Sequence, residues 1–147
     1  MSKIIPVRLH AEVPVPFLKD RTYLKKFLTA LFNKERKGLR SLDYIFCSDA
    51  FLLNINREYL QHDYYTDIIT FELSSDKNTE GEVYISIDRV KENASLYSSS
   101  LSDELRRVIF HGALHLCGYK DKTSWEKEEM RSMEQYYLDL YRKHPAY

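Results

Sequence analysis

His111 and His115 stand four residues apart inside an apolar run, HGALHLCGYKD, residues 111–121. Four residues of helix turn the side-chain direction by only about 40°, so both imidazoles can reach one metal ion. Gly118 and Asp121 follow at offsets +7 and +10 from His111. A glycine in left-handed backbone ends a helix and turns the chain, which brings position 121 back toward the histidines. Imidazole and carboxylate are both zinc ligands, and three protein ligands with one open position describe a catalytic zinc site. The spacing therefore predicts one zinc ion per chain on His111, His115 and Asp121. A histidine pair by itself reads equally as two core imidazoles bonded to backbone carbonyls. The glycine and the aspartate at their offsets favour the metal.

Such an ion implies hydrolysis, and the residue after His111 narrows the substrate. A zinc protease of the His-Glu-x-x-His type carries its general-base glutamate there. Here the position is Gly112, which has no proton carrier to offer, so peptide hydrolysis is disfavoured. Water activated by the metal remains as nucleophile. No general base stands out, and Asp67 and Lys120 are the weak catalytic candidates. Nothing in the spacing calls for an organic cofactor.

The elements that must position these groups follow from periodicity. Val108, Ile109, Phe110, Ala113, Leu114, Leu116 and Cys117 surround the histidines, and a helix apolar nearly all round is buried. It is expected to start near Ser102. Gly112 costs such a helix about 1 kcal/mol against alanine, so something should approach closely there. The run TSWE, residues 123–126, is a capping box that opens a last helix, burying Met130, Met133, Tyr137 and Leu140. Earlier, the pattern predicts a strand over 4–9 and a helix from Thr22 with Leu24, Phe27, Leu28, Leu31 and Phe32 inward, ended by Gly38. A short strand follows over 44–47. A helix capped by Ser48 then turns Leu52, Ile55 and Tyr59 inward. A strand over 68–73 and an alternating one at Val83, Ile85 and Ile87 flank a polar turn, SSDKNTEG. Another helix starts near Asp88. Strands and helices mix without strict alternation, which predicts an α+β fold around a small mixed β-sheet, in one domain over residues 1–147.

Composition bounds the partners. Lys plus Arg and Asp plus Glu both number 22, so a polyanion would need a local basic patch. Cys47 and Cys117 are too few for a disulfide framework. No apolar run is long enough for a membrane span and the N-terminus lacks a signal-peptide core, so the expected location is the cytoplasm.

The stretch HGALHLCGYKD resembles the signature HGxLHLxGYDH of the YbeY family. INREYLQHDYYTDIITFEL is similar to that family's LNxxYRxxDxPTDVLSF segment, and GEVYIS to its GDIxIS strand. The resemblance covers residues 43–140. It implies a zincin-like fold, one zinc ion and an endoribonuclease that matures the 3′ end of small-subunit ribosomal RNA and serves ribosome quality control. Its ligands carry over to His111, His115 and, in place of a third histidine, Asp121. The family's arginine after LNxxY falls at Leu60, with Arg57 one turn earlier. That departure keeps alive a non-enzymatic ribosome-assembly factor with structural zinc; a metallopeptidase is less favoured.

Other residues carry two readings each. Thr66 and Asp67 either line the cleft beside the metal or cap a turn. Lys120 and Lys122 either contact a phosphate or lie in solvent. The basic run 34–40, KERKGLR, either tracks an RNA backbone or is a solvated helix end. Tyr64 and Tyr65 either stack on bases or pack in a loop. His10, His62 and His144 lack spaced partners and read as surface or structural residues.

Overall fold

The computed structural model describes residues 5–74 and 76–143. In chain order its elements are β1 (Val7–Ala11), α1 (Arg21–Lys34), β2 (Gly38–Cys47), α2 (Asp49–Leu60), β3 (Ile68–Glu72), β4 (Asn78–Ser86), α3 (Ile87–Leu96), α4 (Leu101–Leu116) and α5 (Ser124–Arg142). The strands form one sheet in the order β1-β2-β4-β3. β1, β2 and β4 run parallel, while β3 is the antiparallel edge beside β4. This is the mixed sheet of an α+β fold, as the element pattern predicts.

Alternation along the strands makes two apolar faces. Leu42, Tyr44 and Phe46 of β2 and Val83 and Ile85 of β4 join the main core with α1, α4 and α5. On the other face Cys47, Ile69, Phe71 and Tyr84 pack against Leu52 and Ile55 of α2. α4 runs through the main core and is buried around most of its circumference. The buried Tyr44 hydroxyl donates to the Ile109 carbonyl at 2.7 Å, which supplies the partner a buried hydroxyl needs and ties α4 to β2. A Cβ at Gly112 would lie 2.8 Å from Val83 Cγ1 and 3.1 Å from Ile68 Cδ1. The glycine is thus the price of bringing α4 onto β4 and the edge strand β3, with His111 beside it.

Several boundaries move from where the sequence pattern puts them. β1 starts at Val7 and runs to Ala11; Ile4 lies outside the described residues. Gly38 does not end α1 but opens β2, because Arg36 at φ 59° has already turned the chain. β2 is ten residues long rather than a short strand, since it pairs on both sides. β4 begins at Asn78, so half of the polar run SSDKNTEG is strand, paired with β2; its Ser75 lies outside the described residues. The β4 alternation stops at Ser86, whose side chain caps α3, and Ile87 and Asp88 enter that helix. Tyr59 is 69 % exposed rather than inward. Buried Asn56 takes the inward place, donating its amide to the Tyr64 carbonyl at 2.8 Å. α4 starts at Leu101 behind Ser100, which accepts from the Asp103 amide at 3.1 Å. The capping box at Thr123 and Glu126 is present. Met130 and Tyr137 are buried, and Met133 and Leu140 are half-buried against the core. Among the described residues no helix is long and apolar enough to cross a membrane.

Candidate metal centre

The site begins with how α4 stops. Gly118 has φ 108°. Its amide donates to the His115 carbonyl, and the Tyr119 amide to the Leu114 carbonyl, both at 3.0 Å. This is a Schellman ending, with the glycine at the position that needs positive φ. The same turn aims the Tyr119 carbonyl back at His115, whose Nδ1 lies 2.9 Å from it. A carbonyl oxygen only accepts, so Nδ1 carries the proton and Nε2 is left with a free lone pair.

His111 is held from a different direction. Its Nδ1 lies 2.5 Å from Glu134 Oε2 on α5. The other Glu134 oxygen accepts from Arg107 Nη1 at 3.1 Å. Arg107 in turn donates to both oxygens of Glu104, at 2.6 and 2.7 Å. Glu104 and Glu134 are buried. Two carboxylates survive there because Arg107 lies between them and donates to each. Burial still pushes the Glu104 carboxyl above its ordinary range, against the pull of Arg107. Burial acts to lower the His111 pKa, but Glu134 first, then Asp121 and Asp67, hold it above the ordinary imidazole value.

With both Nδ1 atoms engaged, the two Nε2 atoms face Asp121. Its Oδ2 lies 3.3 Å from His111 Nε2 and 3.4 Å from His115 Nε2. The three residues offer donor atoms all within 4.8 Å of one another. Three lone-pair donors at such range repel unless a proton or cation sits among them. A tetrahedral ion with bonds of about 2.0–2.1 Å places its ligand atoms about 3.3 Å apart. The donor set therefore fits a metal ion in kind, and the two separations from Asp121 Oδ2 match that spacing. A cleft of about 560 Å³ opens beside it, bounded by α2, β3, His111, His115 and Asp121, and reached by Leu60, His62 and Tyr64.

The family model described as Endoribonuclease YbeY matches residues 11–142. The chain belongs to the YbeY family. The Endoribonuclease YbeY of Cytophaga hutchinsonii is 53% identical over 84% of this chain and 87% of its own length. That of Bacteroides thetaiotaomicron is 45% identical over 83% of this chain and 88% of its own. A Thermotoga maritima protein known from a solution structure matches with a TM-score of 0.66 and 27% identity, covering 92% of this chain and 88% of that one.

Within this YbeY-family frame the other candidates separate. Asp67 and Thr66 line the cleft with His111, His115 and Asp121. Thr66 also donates to the Ile68 carbonyl at 3.3 Å, so it serves the turn as well. Burial, opposed in part by His111, holds the Asp67 carboxyl above its ordinary range. Lys120 and Lys122 are exposed and line none of the cavities around the donors. Arg57 is ion-paired with Asp63 and does not line the cleft, whereas Leu60 does. In the basic run, Arg40 pairs with Asp76 and Glu80, and Lys34 lies 5.1 Å above the Tyr136 ring. Tyr64 reaches the cleft and stacks on His62, which therefore belongs to the cleft wall rather than to plain surface. Tyr65 sits under the Arg89 guanidinium. His10 pairs with Asp43, and His144 lies outside the described residues.

Glu104, Arg107 and Glu134 escaped the sequence reading. One signal was there: Glu134 falls on the same α5 stripe as Met130, Tyr137, Leu138 and Tyr141, all buried. A carboxylate on a core stripe needs a partner, and a histidine on the neighbouring helix is a natural one.

Proposed function

We propose that this chain is a zinc-dependent endoribonuclease that matures the 3′ end of small-subunit ribosomal RNA and takes part in ribosome quality control. On this reading residues 1–147 act as one domain, in the cytoplasm, on the small ribosomal subunit. The supporting observation is the preset donor set: two imidazoles with Nδ1 engaged and Nε2 free, facing one carboxylate oxygen at 3.3 and 3.4 Å. His111, His115 and Asp121 would hold zinc, which when bound polarises a phosphoryl oxygen and activates water. Glu134 and the Tyr119 carbonyl fix the imidazole planes. Asp67, whose carboxyl binds its proton more tightly than usual, is the group placed to carry a proton at the cleft wall. The glutamate that serves as base in a His-Glu-x-x-His protease is replaced by Gly112, which faces Val83 and Ile68 too closely to carry one.

A second reading, an assembly factor with structural zinc, is favoured by one observation. Leu60 stands in the cleft where the family pattern has arginine, and Arg57 is tied to Asp63. Metal-replete protein incubated with structured ribosomal RNA and with single-stranded RNA separates the two. The expected result is RNA cleavage and about one zinc per chain, both lost in His115→Ala. Zinc-loaded protein that leaves every RNA intact supports the assembly factor instead.

A further inference from the structure

The cleft beside the metal donors lacks lysine and arginine among its lining residues. A strand of RNA bound there would meet Asp67, Glu72 and Asp121 and no cation except the metal. Phosphate contacts to lysine or arginine supply most nucleic-acid affinity, so they must come from another wall.

A second cavity, of about 280 Å³, adjoins the first. It shares Asp67, His111 and Asp121 with the cleft, and α5 adds Lys127 and Arg131. These two are four residues apart, on one helix face, and Glu134 follows on that face three residues later. Both are exposed. The third cation there, Arg107, is already neutralised by Glu104 and Glu134. No ion pair among the described residues engages the Lys127 ammonium or the Arg131 guanidinium. The uncommitted positive charge around His111 and Asp121 thus lies on α5, in the cavity that Leu60 does not line.

We propose that Lys127 and Arg131 form a phosphate subsite that holds the RNA backbone on the α5 side of the metal, supplying the cation that position 60 lacks. This rests on the endoribonuclease reading. A backbone running from the Tyr64 side of the cleft past the donors would place its next phosphates against these side chains. Arg131 can take a phosphate through two parallel N–H donors, and Lys127 as a point charge. Asp67 and Asp121 line both cavities, and a cation bound at Asp121 would offset their charge.

The test measures binding of a short single-stranded RNA to zinc-loaded protein by fluorescence anisotropy across a salt series, with zinc content measured on every variant. Lys127→Gln/Arg131→Gln should keep its zinc and lower the slope of log affinity against log salt by about 1.4, or about 25-fold in affinity at 0.1 M salt. Each single variant should give about half the slope change. A control with the same charge loss elsewhere, Lys26→Gln/Lys91→Gln, should leave the slope nearly unchanged. An unaltered slope in the double variant, with the parent binding RNA, overturns the subsite and leaves the nuclease reading standing. An equal loss in the control also overturns it, because net charge alone would then explain the effect. A zinc-loaded parent that neither binds nor cleaves RNA overturns both.

Discussion

The two histidines of the site are oriented by opposite means. His115 is held by the carbonyl of Tyr119, four residues away, inside the turn that ends its own helix. His111 is held by Glu134, 23 residues away on α5, and through it by Arg107 and Glu104. One arm is backbone and local; the other is a buried charge network that exists only when α4 and α5 are packed. A backbone carbonyl cannot be mutated away and carries no net charge. A buried carboxylate raises the basicity of its imidazole but depends on every partner in the chain. The site is therefore expected to be fragile on its His111 side and robust on its His115 side.

The largest effect should come from breaking the network at its centre. Arg107→Leu leaves Glu104 buried without a counter-charge and Glu134 with only His111, a loss of about 3–5 kcal/mol. A thermal melt should show a fall of roughly 10 °C. A melt within a degree or two of the parent would mean that Arg107 does not hold the pair together. Next, Glu134→Gln keeps an acceptor for His111 Nδ1 but removes the charge. Zinc affinity, measured by chelator competition, should drop about 10- to 100-fold with the fold intact. If the loss in Glu134→Gln is nil, the two arms are equivalent and the comparison fails.

The His115 arm is broken only through its turn. Gly118→Val puts a β-branched side chain at φ 108°, which costs about 1–3 kcal/mol. The Tyr119 carbonyl should shift and zinc binding weaken. Full retention of stability and zinc would show that the turn tolerates a side chain. The smallest effect is in pH. The folded His111 pKa lies above its ordinary value, so in metal-free protein its charged form stabilises the fold. That contribution is complete below about pH 6.5 and is lost as pH rises through the folded value. Urea midpoints of metal-free protein should fall over that range, and Glu134→Gln should flatten the fall. An identical slope in both proteins would remove Glu134 as its cause.

What the sequence determined by itself is what depends on near neighbours. The histidine spacing, the glycine stop, the capping box at Thr123 and the buried character of α4 are all set within one or two helical turns, and each is present. Gly112 could be read as a place of close approach, but only the structure identifies Val83 and Ile68 as what approaches. Strand limits were less legible, because β2 and β4 run into polar residues that only cross-strand pairing holds extended. Tyr59 was misplaced for a related reason. Helix periodicity says which residues share a face, but not where the sheet beneath that face ends. The partners of His111 belonged wholly to the tertiary structure. In the sequence Glu104 and Arg107 lie three residues apart, and Glu134 lies 27 residues beyond Arg107 on another helix. They become one network only because α5 packs on α4, which removes water and leaves those charges no partner but one another and His111.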